Sequence, residues 1–422
     1  MEIKKTLLLS TNFLKMPAPK PLPKPQVAAK RHDALFESHD KLKNNRDSRA
    51  LGMLAEVLSV ITKITSNPPS TQIDEFHAWD LLTKHKTPHS KKYQHPPRLK
   101  KWEQDLMYSF NRISFNEIRS IFPSNPYLNG EEKYKAHHAI HPRLKEWEKF
   151  KNRFPHILDG LSTGDIEDRV KLHSLVENII EDARSKEGRL AYEQHIRHIT
   201  KSKSSVKKFV DEIFETNKSL QVTRLILMFK NSKDHQYLDY EEVREHWNEF
   251  RHRLGRIDCA YIGKLAHSTI RSYYFHLILF FPKNATADSI LNSSIENKIL
   301  PNNFQKPLDS TISGLIDEIW KITSKTEKKI KINTDIKFSE YEKYSIKFPE
   351  YDNFQPKTLI DKKSLKTLIE EIIYPIFEMD LYVRLIPPKE NNDSKHGDRT
   401  YWKGGKDRLQ KISPISKAKA TA

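Results

Sequence analysis

The sequence predicts an α+β fold with a mostly helical N-terminal region and a C-terminal antiparallel-sheet palm. From residue 220 onward, apolar strand-like segments and amphipathic helices follow one another in the order β-α-β-β-α-β-α-β, which favours an antiparallel sheet covered by helices on one face. Residues 273–281 are apolar on both faces, which predicts a central strand. Only 11 glycines occur in 422 residues, which argues against an α/β enzyme with glycine-rich nucleotide loops.

The N-terminal half divides into an arm and a helical region. Residues 1–30 are rich in proline and lysine and predict a disordered, extended tether. Residues 31–160 form the predicted helical region, which begins with a helix ending near Ser66. That helix has one apolar face, formed by Leu51, Leu54, Val57, Leu58 and Ile61. Two further helices are predicted at about 163–184 and 204–217.

The palm-like domain is predicted to span residues 161–405, including its leading helices, and a basic tail follows at 406–422. Its strands are predicted from β-branched and apolar runs at 222–229, 259–265, 273–281, 330–338 and 381–386. Its helices are predicted from apolar periodicity at about 239–254, 311–323 and 364–374.

Composition restricts the class of protein. Lys and Arg number 73 against 55 Asp and Glu, so the formal net charge is +18 and a polyanion is the expected partner. The single Cys259 excludes a disulfide framework and a multi-cysteine metal site. No apolar run approaches the roughly 20 residues of a membrane span, and Thr6 to Leu9 is too short for a signal peptide. We therefore expect a cytoplasmic protein without a membrane partner.

Several segments of the C-terminal half resemble the YagK/YfjJ C-terminal family, which is grouped with the inovirus-type replication proteins. The resemblance extends roughly from Phe154 to Trp402. It is carried by residues 219–227, residues 260–281, Trp320 after an apolar helix, residues 374–384, and the run Asp398-Arg399-Thr400-Tyr401. The family resembles the rolling-circle replication initiators, or HUH endonucleases, of phage and plasmid-like elements. The resemblance therefore implies an HUH/RRM-like palm and a DNA partner, expected to be single-stranded.

The same resemblance implies a tyrosine nickase that uses a divalent metal, Mg²⁺ or Mn²⁺. In that group, a His-hydrophobic-His pair on one strand face holds the metal, which polarises the scissile phosphate while a tyrosine attacks. Here the pair falls on Tyr274-Phe275-His276, and the usual carboxylate position is Ala266. His276, with His267 as a substitute ligand, forms a reduced metal site in this interpretation.

Two tyrosines are candidates for the nucleophile. Tyr374 ends a predicted apolar helix, and Tyr382 lies on the following predicted strand. The family places its tyrosine on a helix facing the sheet, which favours Tyr374. A core or interface aromatic with a hydrogen-bonded hydroxyl is the alternative interpretation of Tyr374.

Basic residues near the predicted sheet, interleaved with aromatic residues, are typical of single-strand binding. The candidates are Arg224, Lys264, Arg271, Arg384, Arg399 and Lys403. Arg224 lies inside a strand, so it either forms a buried ion pair or contacts a phosphate. Near Arg197, two histidines indicate a solvated basic helix face, because no carboxylate stands at metal-ligand spacing.

Three functions remain open at this point. The first is an active tyrosine endonuclease with Tyr374 as nucleophile and His276 in the reduced metal site. The second is a catalytically silent DNA-binding regulator that uses the same basic face. The third is an RNA-binding sheet protein, which charge and aromatic content alone favour.

Overall fold

The structure is a computed structural model, and it describes ten stretches of the chain. These are residues 45–66, 115–122, 137–154, 166–228, 240–268, 272–300, 312–324, 340–344, 359–386 and 400–412. Three expectations lie outside them: the arm at 1–30, the strand at 330–338, and the placement of Arg271 and Arg399. The described part confirms a mixed fold of helices and antiparallel sheet.

The four α-helices that the structure describes in the N-terminal half before residue 186 pack around a common core. They are α1 (Asn45–Ser66), α2 (Phe115–Ile121), α3 (Lys145–Arg153) and α4 (Ile166–Arg184). Leu54, Ile118, Trp147 and Val176 from these four helices are fully buried in this core, as the apolar periodicity requires. A short strand, β1 (His137–Ile140), precedes α3.

The next helix, α5 (Lys186–Thr216), is much longer than the predicted segment 204–217. It begins at Ser185, whose side chain accepts a hydrogen bond from the backbone N–H of Gly188. Its first half lacks a clear apolar stripe because polar residues occupy inward positions, among them His195 and Ser202. Its second half packs Val206, Val210 and other apolar residues against the sheet.

The other described elements include the larger sheet and the helices that cover it. The strands are β2 (Ser219–Met228), β3 (Ala260–Ser268), β4 (Ser272–Pro282), β5 (Glu340–Tyr344), β6 (Leu359–Asp361), β7 (Val383–Ile386) and β8 (Tyr401–Gly404). The helices are α6 (Tyr240–Leu254), α7 (Ala287–Glu296), α8 (Ile312–Ser324), α9 (residues 365–382) and α10 (Lys406–Ile412). The larger sheet has the order β5-β2-β4-β3-β8, and β6 also pairs with β2.

The strand β4 lies in the middle of this antiparallel sheet, as its two apolar faces predict. The expectation that helices cover a single face of the sheet is wrong. Leu277 and Leu279 pack under α6 and α8 on one face, whereas Ile278 and Phe280 pack under α5 and α9 on the other. A strand that is apolar on both faces needs a covering layer on each.

The helix α9 runs from residue 365 to residue 382 and includes a π-helical segment, Leu368–Ile373. The predicted helix 364–374 is therefore too short, and the predicted strand 381–386 begins later, at Val383. Tyr382 consequently ends the helix instead of lying on a strand. The strand β7 leaves the larger sheet and pairs antiparallel with β1.

The chain returns to the larger sheet at β8, which pairs with β3, and then enters α10. The predicted basic tail thus begins with a helix, and Leu409 of this helix is buried against the sheet core. The connection between β8 and α10 needs a glycine at position 405, because Gly405 has a φ of 79°, which other residues rarely adopt. In addition, a Cβ at this position would stand 2.0 Å from the carbonyl oxygen of Cys259.

Candidate functional site

A buried ion pair connects the sheet to α9. Lys264 of β3 places its Nζ 2.9 and 3.1 Å from the two carboxylate oxygens of Asp380, and 3.0 Å from Oγ1 of Thr400. The two charged side chains are only 4% and 7% exposed. A buried pair of this kind persists only when each charge is closely paired and hydrogen-bonded. Lys264, a predicted DNA contact, therefore already has its partners inside the protein.

A small cavity adjoins this pair at the junction of α9, β3 and β4. It has a volume of about 20 Å³, enough for one water molecule but not for a nucleotide phosphate. Three histidines and the buried pair line it, together with apolar residues: Leu51, Phe122, His138, Lys264, Leu265, Ala266, His267, His276, Ile376, Met379, Asp380, Val383 and Leu385. The structure thus brings both predicted metal ligands, His267 and His276, to one cavity.

The two histidines nevertheless lie on opposite faces of the sheet. His267 pairs across the strands with Tyr273, and their rings are 4.8 Å apart, whereas His276 shares the face of Tyr274. His138 of β1 lies on the other side of His267, with its Nε2 3.2 Å from the carbonyl oxygen of His267. His267 is therefore packed between rings and is not directed at His276.

The residues present do not fit a divalent cation. Lys264 lies directly opposite His276 on the neighbouring strand, so a fixed positive charge adjoins the position where the ion would bind. Asp380, the nearest carboxylate of the cavity, is already neutralised by that lysine. Within the ten described stretches, no group of three or more His, Cys, Asp or Glu side chains is arranged to hold a metal ion.

Neither candidate tyrosine lines the cavity. Ile376, Met379 and Asp380 of α9 face it, and Tyr374, two residues before Ile376, lies on another side of the helix. The Nζ of Lys203 instead lies 4.2 Å from the centroid of the Tyr374 ring, and partial burial raises the pKa of its hydroxyl. Tyr382 is 6% exposed and belongs to the core of the N-terminal helices.

The predicted DNA contacts separate into three groups. Arg224 is 2% exposed inside the sheet, like Lys264, so neither side chain is on the surface. Arg384 of β7 and Lys403 of β8 are half-buried, and Nζ of Lys403 donates to the backbone oxygen and the hydroxyl of Ser205. Arg271 and Arg399 lie outside the described residues.

The basic helix face that the sequence indicates near Arg197 belongs to α5 and extends along this helix to Lys208. We call Arg197, Lys201 and Lys208 the basic face of α5, because these three exposed side chains lie on one side of the helix. The signal was present in the sequence, since residues 194–210 contain five Lys or Arg and no Asp or Glu. The full extent of the face was not predicted, because the two predicted helices leave out residues 185–203.

Burial also restricts the chemistry or the contacts of three other side chains. Cys259 is buried, and burial raises the pKa of its thiol to about 12, which disfavours the reactive thiolate at neutral pH. Tyr261 and Tyr273, two of the aromatic residues interleaved with the predicted DNA contacts, are 5% and 1% exposed, so both rings are parts of the core. Neither of these two rings is therefore available to stack bases.

The buried histidines predict that the protein loses stability in mild acid. Burial lowers the pKa of His267 to about 4 and that of His246 to about 3, whereas both titrate near 6.5 when unfolded. The unfolded chain therefore binds more protons in this interval, and stability falls as the pH decreases below about 6.5. Between pH 6.5 and 5, each histidine costs about 2 kcal/mol of unfolding free energy.

Urea unfolding at pH 7 and pH 5 measures this loss. His267→Gln is expected to reduce it by about 2 kcal/mol, because the variant has no imidazole to protonate on unfolding. His252→Gln, which changes an exposed histidine, is the matched control and leaves the loss unchanged. An undiminished loss in the His267 variant contradicts the assignment.

Comparison with known proteins does not identify a family for this chain. No family model, no curated protein and no solved structure matches this chain. In the described part of the chain, no helix has the length and apolar character needed to cross a membrane. Function is therefore inferred from the sheet, the buried pair and the charged surface.

Proposed function

We propose that the protein is a DNA-binding relative of the rolling-circle replication initiators of phage and plasmid-like elements, with an HUH/RRM-like palm and without nicking activity. The observation that carries the proposal is the buried Lys264–Asp380 pair, which adjoins the expected metal position because Lys264 stands opposite His276 of the central strand. The HUH/RRM-like palm and the relationship to the YagK/YfjJ family are parts of this proposal.

The succession of elements supports the palm. The segments β2, α6, β3, β4, α8 and β5 follow the β-α-β-β-α-β arrangement of ferredoxin-like folds, with α7 as an additional helix between β4 and α8. The strand order β5-β2-β4-β3 places β4, which carries His276, between β2 and β3. In the related initiators, the metal-binding pair lies on one strand, and the resemblance assigns its counterpart to residues 274–276, which belong to β4.

The absence of catalysis is argued from charge and placement. A lysine ammonium already neutralises Asp380, so a divalent ion gains no carboxylate and meets electrostatic repulsion. Tyr374 lies beside Lys203 on α5 and outside the cavity of His276. A nickase needs its tyrosine and its metal at the same phosphate.

DNA is favoured over RNA as the partner by the covered sheet. RNA-binding sheets of the RRM type stack bases on aromatic residues of an open face. Here helices cover both faces, and Tyr261 and Tyr273 are buried. The net charge of +18 then favours binding through phosphates, which depends on surface cations instead of stacking.

The test combines binding with a search for covalent products. Labelled single-stranded DNA is incubated with the full chain in Mg²⁺, in Mn²⁺ and in EDTA. We expect salt-sensitive binding that EDTA leaves unchanged, and no protein–DNA adduct on a denaturing gel. The apparent affinity should fall with a slope of about 0.7 in log–log units per neutralised phosphate.

Two results would overturn parts of the proposal. An adduct that appears with metal and disappears in Tyr374→Phe shows an active nickase, because the substitution removes only the hydroxyl. A clear preference for RNA over DNA of the same sequence contradicts the DNA partner. Failure to bind either polymer at low salt rejects nucleic-acid binding altogether.

A further inference from the structure

The basic face of α5 is a straight array of charge. Arg197, Lys201 and Lys208 occupy positions i, i+4 and i+11, which lie within about 40° of one another around an α-helix. At 1.5 Å per residue the array is about 16 Å long, close to five base steps of one DNA strand. Ser204 is exposed between the two lysines and adds a hydroxyl donor.

No acid of α5 neutralises the middle of this array. The positions three and four residues from Lys201 are Arg197, His198, Ser204 and Ser205, so none can form an ion pair along the helix. The nearest acids in sequence are Glu193 before the array and Asp211 after it. Arg197 and Lys201 instead repel each other at i and i+4, which disfavours the isolated helix.

The surroundings of the array extend the positive potential on one side only. On one side Lys403 of β8 lies against Ser205, with Nζ 2.8 Å from the backbone oxygen. On the other side, Lys203 and Lys207 are paired with Glu378 and Asp211. The lysines paired with acids therefore border the basic face and do not belong to it.

We propose that the basic face of α5, with Lys403 at its side, binds the phosphate backbone of a single DNA strand. The inference rests on the proposed function and adds the place of contact: the outer surface of a helix that covers the sheet, and not the sheet itself. Charge complementarity and spacing argue for it, because arginine, lysine and serine are the side chains that contact phosphates. The strand runs along the axis of α5.

The test compares two variants that each lose three positive charges. In the first, Arg197→Gln, Lys201→Gln and Lys208→Gln remove the basic face. In the control, Lys149→Gln, Arg251→Gln and Arg256→Gln remove cations from α3 and from α6 and its C-terminal turn, where α6 covers the opposite face of the sheet. Circular dichroism and thermal unfolding establish that both variants are folded.

The readout is the affinity for a labelled single-stranded oligonucleotide across a salt series. The first variant is expected to bind at least tenfold more weakly, with a salt slope smaller by about 2, because three phosphate contacts are lost. The control should keep the wild-type slope. If both variants lose the same affinity, net charge alone explains the effect and the inference is wrong.

The two proposals fail in different ways. If the wild-type chain binds no DNA, the proposed function fails and the surface has no ligand. If the wild-type chain binds DNA and the first variant binds as the wild type does, only the assignment to α5 fails. A loss confined to RNA of the same sequence would also overturn it, because the inference names DNA.

Discussion

Lys264→Met is expected to lower the free energy of unfolding by about 3–5 kcal/mol, because it leaves Asp380 charged and buried without its partner. The expectation follows from the exposure of only 7% for the Asp380 side chain and from the two hydrogen bonds that Nζ donates to it. Urea unfolding at pH 7, followed by circular dichroism, measures the change.

Two further variants separate the charge effect from loss of packing. Lys264→Met combined with Asp380→Leu removes both charges and should recover most of the lost stability. Lys207→Met breaks the exposed pair with Asp211 and should cost less than about 1 kcal/mol. If the double variant is as unstable as Lys264→Met alone, an unpaired buried charge is not the cause.

Trp247→Ala is expected to destabilise the protein by about 3–5 kcal/mol, because it removes one of the buried tryptophans of the core between the sheet and α6. Trp247 is fully buried and stacks on Phe275 of β4, with ring centroids 4.3 Å apart. Guanidinium unfolding of the purified variant gives the loss. A cost below 1 kcal/mol would contradict this account of the core.

The packing of Trp247 in the same core explains why β3 has a glycine at position 263. A Cβ on Gly263 would stand 2.4 Å from two ring carbons of Trp247, so Gly263→Ala should destabilise the protein by about 1–3 kcal/mol. In the Trp247→Ala background the ring is absent, and the same substitution should be close to neutral. Additive losses in this double-mutant cycle would show that the clash is not the cause.

The elements that the sequence predicts well are those with strong local patterns. The strands around Leu225, Ile262 and Ile278 are apolar runs bounded by polar residues, and all three exist in the sheet. The helix ending at Leu254 also exists, because Val243, Trp247 and Phe250 define its buried stripe. Local pattern decides such elements before any long-range contact forms.

The elements that were predicted wrongly depend on contacts across the chain. The first half of α5 buries His195, whose Nε2 lies 3.1 Å from the carbonyl oxygen of Leu381, so a polar residue occupies an inward position. Tyr382 remains helical in α9, although its apolar and β-branched neighbours favour a strand. No periodicity in a single segment reveals partners almost two hundred residues away.

The candidate site shows the same limit. Lys264 is predicted as a surface cation because strand position alone does not reveal Asp380, which lies 116 residues later. His276 is found correctly on the central strand, but the side of the sheet occupied by His267 depends on the register with Tyr273. Candidate site residues could therefore be chosen from the sequence, whereas the partners of each side chain depend on the three-dimensional structure.

The contribution of α9 to two hydrophobic cores has a consequence for how the chain can be divided into fragments. Leu381, Tyr382 and Val383 complete the core of the N-terminal helices, while Ile373 and Phe377 of the same helix pack on the sheet. One continuous helix thus contributes to two cores, and unfolding of either core removes packing from the other. Stability is then shared across the described molecule, and a fragment cut between α4 and α5 would leave both halves with exposed apolar surface.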